Sequence, residues 1–221
     1  MAEKILVIGE SGSGKSRAMK KLDPKSTFLI NSIGKALPFK GWKGAYTPLS
    51  SDGKTGNMAT TTDWERIIKA MKFVSDSRPE FKTIIIDDAQ YIMSFEFMAR
   101  AKERGFDKFT EVAQHMFNVL IAPDSLRDDL MIVYLAHCDE SGGRTKIKTI
   151  GKMLDEKITI EGLFTVVLLC YSYKENESGM KYVFVTNSNG TNTCKSPEGM
   201  FDLTMDNDLA EVIKQYHEYS N

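Results

Sequence analysis

The segment Gly9-Glu10-Ser11-Gly12-Ser13-Gly14-Lys15-Ser16 satisfies the pattern G-x-x-x-x-G-K-[ST] in full. That spacing is suited to holding a polyphosphate. Glycines reach positive φ and let backbone N–H groups come close to phosphate oxygens. A helix starting at the end of the loop would turn its free N–H groups and positive dipole end towards the same anion. Lys15 is then placed for the β- and γ-phosphates, and the Ser16 hydroxyl for a Mg²⁺ ion. The loop residues Gly9, Glu10, Ser11, Gly12, Ser13, Gly14, Lys15 and Ser16 are therefore the expected nucleotide contacts, with ATP and Mg²⁺ as the ligands.

Asp87 closes the apolar run Thr83-Ile84-Ile85-Ile86, where a strand end would bring a second carboxylate to the metal. The competing use of an Asp here is to cap the next helix, a task that suits Asp88. Asp88 also stands where an acid could orient the attacking water, although its side chain is short for that. Glu10, inside the loop, is the other candidate base. His137 follows the apolar run 131–136 and is either structural or a group facing the γ-phosphate. Arg144, Lys146, Lys148 and Lys152 form a basic stretch that reads as a solvated loop, a DNA-facing loop, or a source of cations for a neighbouring subunit. Lys195 lies in Thr193-Cys194-Lys195-Ser196-Pro197, a loop after the last strand.

The elements that must position these groups alternate between strand and helix, which points to an α/β fold with a mainly parallel central sheet flanked by helices. Strands are expected at 5–8, 27–30, 83–86, 130–136, 163–170 and 182–185, with a turn near Glu177-Ser178-Gly179. Helices are expected at 15–22, 62–74, 90–104, 108–121 and from 209 onwards. Thr62 and Glu65 read as a capping box, and Asp208 and Glu211 as caps of the last helix. Residues 32–61 lack periodicity and read as a long irregular excursion, a kind of segment that is more often functional than idle. Without repeats or low-complexity linkers, residues 1–221 read as one domain.

Composition narrows the setting. The chain of 221 residues is 42% hydrophobic and carries a formal net charge of −1, so any nucleic-acid contact has to come from a local basic patch. No apolar run is long enough to span a membrane, and the start Met1-Ala2-Glu3-Lys4 does not resemble a signal peptide. Cys138, Cys170 and Cys194 have no metal-ligand spacing with one another or with the three histidines. Reduced thiols in the cytoplasm are the expectation.

The order of these segments resembles the phage-encoded RecA-like P-loop ATPases that accompany single-strand annealing proteins in recombination modules. The resemblance is carried by 9–16, by Ile30-Asn31-Ser32-Ile33-Gly34-Lys35 with Leu37-Pro38-Phe39, and by 84–90. Leu135-Ala136-His137, Ile150-Gly151-Lys152 and Lys195-Ser196-Pro197 complete it. It implies a RecA-like P-loop NTPase core, ATP hydrolysis stimulated by single-stranded DNA, and assembly into a ring or filament. A phage annealing or single-strand-binding protein would be the partner, and a host bacterial cytoplasm the location. It assigns Lys15, Ser16 and Asp87 to the nucleotide, His137 to sensing, and Lys195 to a contact made in trans. Asn31-Ser32 departs from RecA, where an acidic residue after this strand serves as base, and this shifts the expected base to Asp88. A nucleotide kinase and a non-catalytic ATP-dependent switch or loader are the alternative readings. The chain lacks an arginine-rich lid for the former, and no N-K-x-D signature for guanine is present.

Overall fold

Residues 5–8, 28–30, 84–86 and 132–135 have no solvent exposure at all, and their side chains alternate between two cores. Leu6, Ile8, Phe28, Ile30, Ile84 and Ile86 face one side with Ile132 and Tyr134. Ile5, Val7, Leu29, Ile85, Val133 and Leu135 face the other. Such runs read as continuous apolar sequence because a parallel sheet is covered on both faces.

The computed structural model describes residues 1–151, 153–175 and 179–220. Its strands are β1 Glu3–Gly9, β2 Thr27–Asn31, β3 Met58–Ala59, β4 Thr83–Asp87, β5 Met131–Ser141, β6 Arg144–Ile147, β7 Val166–Lys174, β8 Met180–Val185 and β9 Thr204–Asp206. The helices are α1 Trp42–Ala45, α2 Trp64–Ser77, α3 Tyr91–Ala99, α4 Asp107–Ile121 and α5 Leu209–Ser220. The sheet order is β3-β2-β4-β5-β1-β7-β8-β9. Strands β1 to β5 and β7 run parallel, while β8 and β9 add antiparallel at one side. This is the α/β architecture expected, a mainly parallel mixed sheet with helices on both faces. Among the described residues no helix is long and apolar enough to cross a membrane.

Five local expectations change. The helix after the P-loop is a short 3-10 segment, Ser16–Lys21, in which the Ala18 N–H is shared between the Gly14 and Lys15 carbonyls. Its dipole is correspondingly small, so an anion relies on loop amides and Lys15 more than on a helix end. Helix α2 begins two residues late: Asp63, not Thr62, is the N-cap and accepts from the Arg66 N–H at 3.1 Å. Helix α3 stops at Ala99 and its Arg100 is held by Glu96, Glu103 and Glu111.

The largest change is at 137–148. Strand β5 continues well past 136 and turns through Gly142 and Gly143, both at positive φ, into the antiparallel β6. Two successive positive φ values make the two-residue turn that matches strand twist. Arg144 and Lys146 thus sit on a hairpin and not on an irregular loop, while Lys152 lies outside the described residues. Strand β7 also starts later than expected, because Ile160–Leu163 forms a 3-10 turn. Glu177 and Ser178 of the expected turn lie outside the described residues, and Asp208 caps α5 through the Ala210 N–H at 3.0 Å.

The excursion at 32–61 is pinned by Asn57. Its amide donates to the Pro24 and Ala45 carbonyls and accepts from the Thr47 N–H, at 2.8, 2.9 and 2.9 Å. Another polar clamp closes the far end of α2. Arg127 donates to the Val74 and Ser75 carbonyls at 2.8 and 2.9 Å and also to the Phe81 carbonyl. Val74 and Ser75 are in the last turn of α2, where carbonyls run out of intrahelical donors, although the Val74 carbonyl also accepts from the Arg78 N–H at 3.2 Å. Arg127→Ala is expected to lower unfolding free energy by about 2–3 kcal/mol, since charged donors are removed from half-buried carbonyls. Urea unfolding followed by circular dichroism measures this, and an unchanged midpoint would contradict the clamp.

Candidate nucleotide site

Strand β1 delivers the P-loop, and the loop can close only because of its glycines. A Cβ on Gly9 would stand 2.5 Å from Ser13 Oγ and 2.8 Å from the Cys170 carbonyl oxygen. Gly14 has φ of +103°, and a Cβ there would meet the Tyr182 ring at 2.6 Å. Lys15 is buried under the loop, where its ammonium donates to the Gly9 and Glu10 carbonyls at 2.8 Å each. Burial lowers the Lys15 pKa, against the opposing charge of Asp88.

The strand order decides what faces the loop. Strand β5 is inserted between β1 and β4, so His137 pairs with Gly9 in register and also reaches the end of β4. There Ser16 Oγ donates to Asp87 Oδ1 at 2.8 Å. The Asp87 side chain is buried, and its Oδ2 has no hydrogen-bond partner. A buried, unpaired carboxylate oxygen beside a hydroxyl offers the hard oxygen donors that Mg²⁺ prefers. The pair Ser16 and Asp87 therefore fits the ion, which would neutralise Asp87 and screen phosphate charge. Burial, then the charge of Asp88, pushes the Asp87 carboxyl up to about 6 against the Ser16 hydrogen bond and the Lys35 and Lys15 charges.

Asp88 is held in the left-handed region, φ 60°, which is uncommon for a residue with a Cβ and costs backbone energy. Its carboxylate forms an ion pair with Lys35, and its Oδ1 lies 3.5 Å from His137 Nε2. Burial alone would raise the Asp88 pKa, but hydrogen bonding to His137 and Lys35 and their charges outweigh it and hold the carboxyl below its ordinary value. His137 is itself fixed, its N–H donating to Gln90 Oε1 at 2.9 Å and its ring edge-to-face with Tyr91.

A cavity of about 490 Å³ brings together Lys15, Ser16, Lys35, Asp88, His137 and Tyr182. Glu10 lines a separate cleft of about 380 Å³ on the other side of the loop, with Cys138 and Cys170. Lys195 is not in either. Its backbone pairs with Val167, which is opposite Leu6 and so three residues short of Gly9 along the neighbouring strand. That is about 10 Å from the loop, towards the amino ends of the parallel strands.

Several neighbours of the site were not singled out as site residues by the sequence. Lys35 is an ordinary exposed-type lysine in an aperiodic segment. Arg17 stacks over the Tyr182 ring at 4.7 Å and donates to Asn207 Oδ1 at 3.2 Å. Tyr182 and Asn207 reach the loop from β8 and the end of β9, and only the sheet order brings them there. A Gly34-Lys35 dipeptide after a strand was the one usable hint.

The raised Asp87 pKa sets a stability prediction. The folded value lies above the ordinary 3.8, so the native state holds the extra proton between about pH 4 and pH 6. The contribution is complete below that window and is lost as the pH rises through about 6. At neutral pH the ionised, metal-free carboxylate then costs up to about 3 kcal/mol. In the presence of a chelator, Asp87→Asn is expected to raise the thermal midpoint at about pH 7.5, with the gain vanishing near pH 5. Differential scanning fluorimetry across that range checks this, and a variant less stable at the higher pH would contradict it.

Residues 1–198 match the family model described as AAA domain, a span that takes in the P-loop, Asp87, Asp88, His137 and Lys195. No curated protein matches the chain in sequence. With the P-loop, the buried acid at the end of β4 and the family match all bearing on one cavity, the chain belongs to the AAA-domain family of nucleotide-binding P-loop proteins.

Proposed function

We propose that the chain is a Mg²⁺-dependent ATP hydrolase that serves a phage recombination or single-strand annealing module, works as a ring or filament, and is activated by single-stranded DNA. The observation that carries the hydrolytic part is Asp88, a carboxylate kept ionised by Lys35 and His137 on the wall facing the P-loop. In this reading Lys15 leaves the loop carbonyls for the β- and γ-phosphates. Ser16 and Asp87 hold the Mg²⁺, which supplies charge neutralisation. Asp88 accepts a proton from water as the water oxygen bonds to the γ-phosphorus. The bond from that phosphorus to the bridging oxygen breaks, and its electron pair leaves with ADP. His137 contacts the departing phosphoryl group and reports its presence along β5.

The β5–β6 hairpin supports the DNA-related part. It runs directly from His137 and carries Arg144 beside its turn, with Lys146 opposite Asp139 nearer the base, a short covalent path between the nucleotide and a cation. A partner subunit's nucleotide or a DNA phosphate would each suit Arg144, and the segment 192–195, which carries Lys195, links Thr145 of this hairpin to Val167 of β7. A kinase is the weaker reading, because Arg144 lies on this hairpin and not on a lid over the phosphates.

An ATPase assay with and without single-stranded DNA, run beside a measurement of oligomer size, tests the proposal. Stimulation together with assembly is expected, and a DNA-indifferent monomer would remove the recombination reading. Lys15→Ala should lower turnover by about 10²–10³-fold, as loss of a charge-stabilising donor does. Turnover near wild type would remove the hydrolytic one. For Lys195, the expected result is a loss of activity in Lys195→Ala that returns on mixing with Asp87→Ala. No return where mixed oligomers demonstrably form rejects a role in trans.

A further inference from the structure

The cation nearest the proposed base is Lys35, and nothing in the P-loop pattern accounts for it. The loop after β2 aims it. Gly34, at φ of +69°, turns the chain, and the Asn31 amide donates to the Lys35 carbonyl at 2.8 Å, tying the lysine to the residue paired with Asp87. From there the side chain crosses into the cavity, 43% exposed, to the Asp88 carboxylate, which is 2% exposed. The other cations of the cavity are engaged elsewhere. Lys15 donates to loop carbonyls, and Arg17 is held by Tyr182 and Asn207.

Asp88 Oδ2 is therefore faced by the Lys35 ammonium, while Oδ1 lies 3.5 Å from His137 Nε2. A water that is to use Oδ2 as its base has to compete with the lysine for that oxygen. A triphosphate entering the same cavity changes the competition. Its terminal phosphoryl group carries more negative charge than one carboxylate, and a half-exposed lysine on a flexible stem can follow it. A diphosphate lacks that group and leaves Lys35 where it is.

We propose that Lys35 is a second phosphate-binding lysine that exchanges Asp88 for the terminal phosphoryl group of a nucleoside triphosphate, so that arrival of the substrate frees the base. The inference rests on the hydrolytic reading for its consequence, but not for the contact itself. It makes Lys35 a cation supplied within the subunit, in addition to any supplied across an interface. The exchange also draws on 33–42, because Leu37 is buried and Trp42 opens α1 on the same short segment. Trp42 and Trp64 are the two tryptophans, and Trp64 is stacked on His115, so a Trp64→Phe background leaves Trp42 as the reporter.

The test compares a non-hydrolysable ATP analogue with ADP, each with Mg²⁺, by isothermal titration and Trp42 emission in full-length protein whose fold is verified by circular dichroism. Wild type is expected to prefer the analogue by about tenfold or more, the worth of one charge-assisted contact. Lys35→Ala should lose that preference while holding ADP within about twofold, and its kcat should fall by about 10²-fold, with partial rescue in Lys35→Arg. Asp88→Asn, which releases the lysine, should bind the analogue more tightly, lose turnover and shift Trp42 emission towards that of the analogue-bound state. A Lys35→Ala variant that keeps the preference, or that weakens both nucleotides equally, overturns the proposal. So does an Asp88→Asn variant with weakened analogue binding. If wild type shows the Lys35-dependent preference but never hydrolyses ATP, the lysine contact stands and the hydrolase reading falls.

Discussion

Two carboxylates, Asp87 and Asp88, are buried side by side at the end of β4, and the surrounding structure has to make that tolerable. Like charges at adjacent positions in a desolvated site raise each other's proton affinity unless cations or donors intervene. The two acids are served differently. Asp87 receives one neutral donor from Ser16 and keeps a bare oxygen, which drives its pKa up to about 6. Asp88 is faced by the Lys35 ammonium and the His137 ring, which outweigh burial and hold its carboxyl below the ordinary value. One site thus holds a carboxylate with an unpaired oxygen and another that already has its counter-charge, and the difference comes from β5 and the loop after β2.

Both partners depend on sheet order. If β4 lay directly against β1, no residue of β5 could touch Gly9 and the acids together. Insertion of β5 puts His137 in register with Gly9 and within reach of Asp88, and Gln90 then locks the His137 backbone from the β4 side. The Ala89 N–H bonds across to the Leu135 carbonyl at 2.8 Å, stitching the turn that carries Asp88 to the same strand. The left-handed Asp88 backbone is held by these contacts on either side. Its strain is sustained because moving it would break the bond to β5 and uncover two buried charges.

Much of this was legible in the residues. The P-loop is a local pattern whose chemistry does not depend on what surrounds it, and Asp87 follows from a buried run that ends in an acid. The parallel strands were visible because burial on both faces leaves uninterrupted apolar sequence. The hairpin after His137 was not, since a solvent-facing antiparallel ribbon such as Cys138-Asp139-Glu140 carries polar residues on exposed positions and looks like a loop. Lys35 was illegible for a different reason. Its role is fixed by a partner 53 positions away, and a lysine in an aperiodic segment is chemically indistinguishable from any surface lysine until the chain folds. The Thr62 cap failed by one residue, where Asp63 offered the stronger acceptor to the same helix start.

The P-loop is set from its other side as well, by elements far away in sequence. Cys170 donates its thiol to the Ser13 carbonyl at 3.1 Å and accepts from the Asn207 amide at 3.0 Å. Asn207 accepts in turn from Arg17, whose guanidinium lies on Tyr182, and the Tyr182 ring fills the space that the missing Cβ of Gly14 leaves. Burial pushes the Cys170 thiol up to about 11 despite those contacts, so it stays a neutral donor and does not place a negative charge beside the phosphates. A thiolate there would oppose the anion that the loop is shaped to receive. Strand β7 with its neutral sulfur, Tyr182 of β8 and the Asn207 amide at the end of β9 therefore fix the conformation of the phosphate loop. Neither Lys15 nor Lys35 is spent on this bracing, since the one donates to the Gly9 and Glu10 carbonyls and the other pairs with Asp88.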